Sequence, residues 1–154
     1  MPSPFRRAPF AVLICAGGLL AGCGDDGNQD ADGARALLAR VQADNYRSWD
    51  RAPGWEQRKP STGAHAKAVD IFVNDRAAEG LATESERGPL PEGSIIVKDG
   101  FGDSDELRLT AMMQKRNDGW YWAEYSASGD PSFSGHPDIC LNCHRTGTDF
   151  IRAF

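Results

Sequence analysis

The sequence predicts an α+β fold, a mainly antiparallel β-sheet of four to five strands with an N-terminal helix and a short C-terminal helix. Three observations carry this expectation. Apolar residues recur at helical spacing early in the chain, and several short central segments alternate apolar with polar residues. Between two of those segments stands Asn117-Asp118-Gly119, a strong hairpin-turn signal.

The helix is expected over residues 33–49 with Asp32 as its cap. Ala34, Leu37, Leu38, Val41 and then Tyr46 and Trp49 fall on one face. Pro53-Gly54 and Pro60-Ser61-Thr62-Gly63 punctuate a loop. Residues 66–74 read as a strand, with Val69, Ile71 and Val73 on one face and Ala68, Asp70 and Phe72 on the other. Asn74 or Asp75 is then placed to cap a short helix ending at Ala82. The turn-rich segment 89–93 leads into the strand Ser94-Ile95-Ile96-Val97-Lys98, and residues 106–116 and 120–126 form the arms of the hairpin. Residues 127–137, rich in Gly, Ser and Pro, are expected to be a loop before the last short helix. No internal repeat interrupts this single domain.

The chain of 154 residues does not read as one mature unit. Arg6 and Arg7 precede an apolar run over residues 10–20, which ends in Leu20-Ala21-Gly22-Cys23. A run of this length is too short to span a bilayer, which needs about 20 residues. The pattern resembles a bacterial lipobox, so residues 1–22 are expected to be a lipoprotein signal peptide and Cys23 the lipidated residue. Residues 23–32, small and acidic, are a flexible tether, and residues 33–154 the folded domain. The lipid would hold the domain on the periplasmic side of a bacterial membrane. Gly24 after the cysteine favours the outer membrane.

Cleavage removes 22 residues, among them two of the 17 basic side chains, so the formal net charge falls from −5 to −7. Without a basic stripe, nucleic acid is not an expected partner. Of the four cysteines, Cys15 leaves with the signal and Cys23 carries lipid. Cys140 and Cys143 remain, in the string Cys140-Leu141-Asn142-Cys143-His144, and no structural disulfide is expected.

Cys-x-x-Cys-His is the attachment signature of c-type haem. Two thiols one helical turn apart can add to the two haem vinyl groups, and the following histidine supplies an axial imidazole to iron. An exported chain suits that chemistry. A redox-active cysteine pair would want a βαβ context, and a zinc site would need four ligands, with only His136 nearby to complete the set. His144 is therefore the expected iron ligand, and the last helix a haem-attachment helix. The sixth ligand has four candidates: Met112, Met113, His65 and His136. The adjacent methionines face opposite ways in a strand, so at most one can face the haem. The histidines lie in turn-rich segments, and these residue types favour an open distal site.

Five stretches stand in order along the chain: Asn45-Tyr46-Arg47-Ser48-Trp49, Ile71-Phe72-Val73-Asn74, Pro91-Glu92-Gly93-Ser94-Ile95-Ile96-Val97-Lys98, Leu109-Thr110-Ala111-Met112-Met113 with Asp118-Gly119-Trp120-Tyr121-Trp122, and the terminal Cys140-Leu141-Asn142-Cys143-His144. Together they resemble the cytochrome P-460 / cytochrome c′-beta family. The likeness spans roughly residues 35–150. It implies a mostly antiparallel β fold, commonly a homodimer, around one high-spin five-coordinate haem c. His144 is the proximal ligand and the distal face is open to small molecules. In P-460 members a lysine at the position of Lys98 is cross-linked to the porphyrin, and hydroxylamine is oxidised with nitric oxide as product or intermediate. In c′-beta members the haem is not cross-linked, the distal pocket is apolar, and nitric oxide binds. The ordinary alternative for Lys98 is a strand-end lysine pointing to solvent.

Thr110 stands where oxidising members carry an acidic side chain, and threonine cannot take a proton as a general base. Glu106 and Glu124 lie nearby in the hairpin and read as solvated surface carboxylates. Phe72, Phe101 and Trp122 are candidates for an apolar distal wall. Two functions follow. One is an oxidoreductase acting on hydroxylamine or nitric oxide; the other is a non-catalytic gas-binding or electron-transfer cytochrome anchored to the envelope, its redox partner unknown.

Overall fold

The structure is a computed structural model that describes residues 27–82 and 88–152; the expected signal segment and Cys23 lie outside these. Helix α1 (Ala31–Ala43) starts where the Asp30 carboxylate accepts the Gly33 N–H at 3.0 Å, two residues before the expected cap. It stops at Asp44, short of Trp49. Asn45 follows with φ +48°, a left-handed conformation that asparagine tolerates better than most side chains, and Tyr46–Ser48 is a separate 3-10 turn.

The expected tether is also shorter than 23–32. Asn28 forms a parallel bridge with Ser134, whose Oγ donates to Asn28 Oδ1 at 2.6 Å and accepts the Asp30 N–H at 2.8 Å. Residues 27–30 are thus docked on the domain. Composition had no means of reporting a partner more than a hundred residues away.

The sheet has seven strands: β1 (Asp50–Arg51), β2 (Lys59–Pro60), β3 (Ala68–Val73), β4 (Ile95–Phe101), β5 (Leu107–Arg116), β6 (Gly119–Ser126) and β7 (Pro131–Gly135). Their order is β1-β3-β4-β5-β6-β7, every pairing is antiparallel, and β2 pairs with β3 as well. The two-residue strands β1 and β2 were not expected. Nor was β7, read as loop from its Pro, Ser and Gly. Pairing with β6 on one side and with residues 27–29 on the other overrides that weak local preference. Helix α2 (Asp75–Leu81) is capped by Asn74, whose Oδ1 accepts the Ala77 N–H, and α3 (Asp138–His144) closes the domain.

Both faces of the sheet are buried. Against α1 stand Phe72, Ile95, Val97, Met112, Tyr121, Ala123 and Tyr125, joined by Ala34, Leu37 and Val41 from the helix. Full burial of an aliphatic side chain such as Leu37 is worth about 1.5–3 kcal/mol. Against α2 and the C-terminal segment stand Val69, Ile71, Val73, Ile96, Met113, Trp120 and Trp122, with Ala77, Leu81 and Ile151. The predicted split of β3 into Val69/Ile71/Val73 and Phe72 faces is therefore the division between two cores. Met112 and Met113 divide the same way.

Candidate functional site

The register of the sheet assembles the site. Ile71, Lys98, Ala111, Glu124 and Phe133 are consecutive cross-strand partners, so their side chains form one row on the face that α3 covers. Between that row and α3 lies a mostly apolar cavity of about 240 Å³, open to solvent on one side. Besides the row its lining includes His65, Trp122, Cys140, Cys143, His144 and Arg152, together with both Met112 and Met113.

Helix α3 presents the Cys-x-x-Cys-His string. Pro137 precedes it, and its carbonyl accepts the N–H groups of Cys140 at 3.0 Å and Leu141 at 3.2 Å. Cys140 and Cys143, three residues apart, share a helix face, and both thiols are free. Burial, aided by Glu124 and the neighbouring Cys143, pushes the Cys140 thiol up to about 11. Cys143 is exposed and accepts from Arg152 Nη1 at 2.9 Å.

His144 is oriented by the backbone. Its Nδ1 lies 2.9 Å from the Phe150 carbonyl, so Nδ1 carries the proton and Nε2 keeps its lone pair. Burial lowers the His144 pKa to about 4; the Phe150 bond opposes this, while Lys98, His65 and Arg152 add to it. The ring also meets the edge of Trp122, with centroids 4.6 Å apart. Phe150 reaches this position through a tight reversal in which Asp149 (φ +46°) and Phe150 (φ +63°) are both left-handed. The Asp149 carboxylate holds the reversal: it accepts the Leu90 N–H at 2.8 Å and pairs with Lys115 Nζ at 2.6 Å.

Lys98 is not a solvent-facing strand end. It stands inside β4, lines the cavity, and no hydrogen bond or ion pair to its amine occurs among the described residues. Its pKa is lowered chiefly by burial; Cys143 and Glu124 oppose the shift and Arg152 adds to it.

Thr110 is a correction. As the neighbour of Ala111 in β5 it points to the opposite face, where its Oγ1 donates to Asp99 Oδ1 at 2.8 Å. Asp99 also accepts from Tyr46 Oη at 2.9 Å and Arg47 Nε at 2.7 Å, so the group ties the 3-10 turn to the sheet. Thr110 belongs to a buried structural cluster, not to the cavity. Phe72 packs in the α1 core, and Phe101 lies under the Arg58 guanidinium, 3.4 Å from its ring centre; of the three expected aromatics, Trp122 lines the cavity.

Two cavity residues were undervalued in the sequence. Glu124, expected to be a solvated surface carboxylate, is largely covered, and its Oε2 lies 3.1 Å from His65 Nδ1. Strand alternation could have found it, because Glu124 shares a face with Trp120 and Trp122. His65 arrives from a loop, for which periodicity offers no signal. His136 lies outside the cavity lining, 3.8 Å from Asp118 and beside the Tyr121 ring.

The donor set fits a covalently held haem. Two unpaired thiols stand one turn apart, a neutral imidazole follows them, and its second nitrogen is held by a carbonyl, the usual outer-shell partner of a ligating histidine. Trp122 Nε1, on a cavity-lining residue, is buried and has no hydrogen-bond partner among the described residues, so it is available to donate to a bound group. No protein-family model matches the chain, and no curated protein matches it.

Proposed function

We propose that this chain is an exported, lipid-anchored monohaem c-type cytochrome whose cavity binds or oxidises a small nitrogen compound, hydroxylamine or nitric oxide. The observation that carries the proposal is Cys140, Cys143 and an oriented His144 lining a cavity that Lys98, Glu124 and His65 also line. Cys140 and Cys143 would hold the haem through thioethers, and His144 would bind its iron through Nε2. Bound there, haem supplies an iron that takes small ligands and exchanges electrons.

The chain's own groups have separate tasks. Ile71, Ala111 and Phe133, the apolar members of the row, limit water at the site. Glu124 is the candidate base that position 110 does not supply: it stands on the cavity face and has carboxylate oxygen to accept a proton from a bound N–H or O–H. Lys98 is the amine placed to reach a group in the cavity, which supports the cross-link that the family resemblance implies. The non-catalytic reading, a gas binder or electron carrier, is favoured by the mostly apolar lining.

The test is production of the full chain in cells with a working c-haem maturation system. Haem that remains with the polypeptide after denaturation, and is lost in Cys140→Ala/Cys143→Ala, is the expected result. A red-shifted ferrous Soret band lost in Lys98→Arg would establish the cross-link. Hydroxylamine turnover lost in Glu124→Gln would select the oxidoreductase, whereas nitric oxide binding without turnover would select the gas binder. A wild-type chain that acquires no covalent haem would overturn the proposal.

A further inference from the structure

We propose that His65 is a second axial ligand, meeting the iron on the side opposite His144, so that a small molecule must displace it. This rests on the haem reading above and departs from the open, five-coordinate site that the family resemblance implies.

Three observations carry it. The rings of His65 and His144 both line the cavity, with centres 6.1 Å apart and planes at 62°. Two imidazoles on opposite sides of one metal ion, each with a metal–nitrogen bond of about 2 Å, have ring centres about 6 Å apart. Next, each ring is anchored through Nδ1, His144 on the Phe150 carbonyl and His65 on the Glu124 carboxylate at 3.1 Å. Ligating histidines characteristically show this outer-shell arrangement, which leaves Nε2 as the free donor atom on both rings.

Finally, the loop carrying His65 is built against the sheet. Ser61 and Lys67 close it through the Ser61 N–H to the Lys67 carbonyl at 2.8 Å, and the Lys67 N–H bonds the Phe101 carbonyl at 3.0 Å. Gly100 permits the close approach, since a Cβ there would meet the Ala66 Cβ at 3.0 Å and the His65 carbonyl at 3.1 Å. Ala66 takes φ +65°, a costly conformation for alanine that reverses the chain directly after His65. Of the other candidates, His136 lies outside the cavity lining, whereas Met112 and Met113 border it but are packed into the two cores.

The experiment is electron paramagnetic resonance and optical spectroscopy of the ferric, haem-loaded full chain, beside His65→Ala, His65→Gln and His136→Ala. A low-spin wild type, a high-spin His65→Ala and His65→Gln, and an unchanged His136→Ala are expected. Added imidazole should restore the low-spin signal in His65→Ala. Nitric oxide should convert the wild type more slowly than it converts either His65 variant. A wild type that carries covalent haem but is high-spin would overturn the ligation and leave the haem reading intact. A low-spin signal surviving both His65 substitutions would also overturn it, assigning the position to another side chain. Absence of covalent haem would instead refute the underlying reading.

Discussion

Neighbouring residues on a strand can have unrelated tasks, and Lys98 beside Asp99 is the sharpest case here. Lys98 faces the cavity, whereas Asp99, 1% exposed, accepts hydrogen bonds from Tyr46, Arg47 and Thr110 on the other face. The same alternation moves Thr110 out of the site and Glu124 into it. Thr110→Val removes a buried hydrogen bond to a carboxylate, at a cost of about 1.5–3 kcal/mol. Urea denaturation should show that loss, while on the proposed haem reading the spectrum of the haem-loaded protein stays that of the wild type. A changed spectrum would return Thr110 to the site. The two thiols should also differ in the haem-free protein. Cys140 is half-buried with its thiol pushed up, so iodoacetamide should alkylate it more slowly than exposed Cys143, by about tenfold or more. Peptide mapping against time measures the two rates.

At the scale of elements, the site depends on segments with little regular structure of their own. Helix α3 contributes no fully buried residue, so its position relies on the chain that follows it. Ile151 packs into the core beside α2, and Asp149 fastens the strained reversal to Leu90 and Lys115. Asp149→Ala removes both fastenings and leaves the Lys115 amine, itself largely covered, without its carboxylate. A loss of about 2–4 kcal/mol is expected, together with broadened spectra from a His144 no longer held by Phe150. The loop bearing His65 makes a parallel demand on Gly100. Gly100→Val should push that loop outward and weaken the His65–Glu124 contact. Amide hydrogen exchange over residues 61–67 should then rise by tenfold or more, with α1 protected as before.

Across the whole molecule, one sheet separates two cores, and the site lies on the side away from α1. The α1 side is a continuous helix packed on aromatic and aliphatic side chains, whereas the other side is shared between α2, α3 and the cavity. Ion pairs secure the sheet's outer edge. Asp70, in β3, accepts from Arg51 Nη1 at 2.6 Å and Arg58 Nη2 at 3.0 Å. Burial acts to raise its pKa, but the two guanidinium groups outweigh burial and hold the carboxyl below its ordinary value. A carboxyl whose folded pKa lies below its unfolded value stabilises the fold above about pH 4, and that contribution is lost as pH falls through the folded value. Asp70→Asn should therefore lower the urea midpoint at pH 7, and the gap to wild type should close as pH falls below about 4. A gap that stays constant with pH would show that the pair adds no charge-dependent stability.

Local patterns in the chain were enough for the class of fold, the 117–119 hairpin, the Asn74-capped helix and the terminal Cys-x-x-Cys-His string. Each of these rests on spacing among near neighbours, where backbone geometry is the same in every protein. The docking of residues 27–30, strand β7 and the place of His65 were not legible. Each depends on hydrogen bonds or packing with residues far away in the chain, which local propensity does not encode. Glu124 falls between the two cases. Its face could be read from alternation with Trp120 and Trp122. That this face holds a cavity, and is not open to water, followed only when α3 and the Asp149 reversal closed over it.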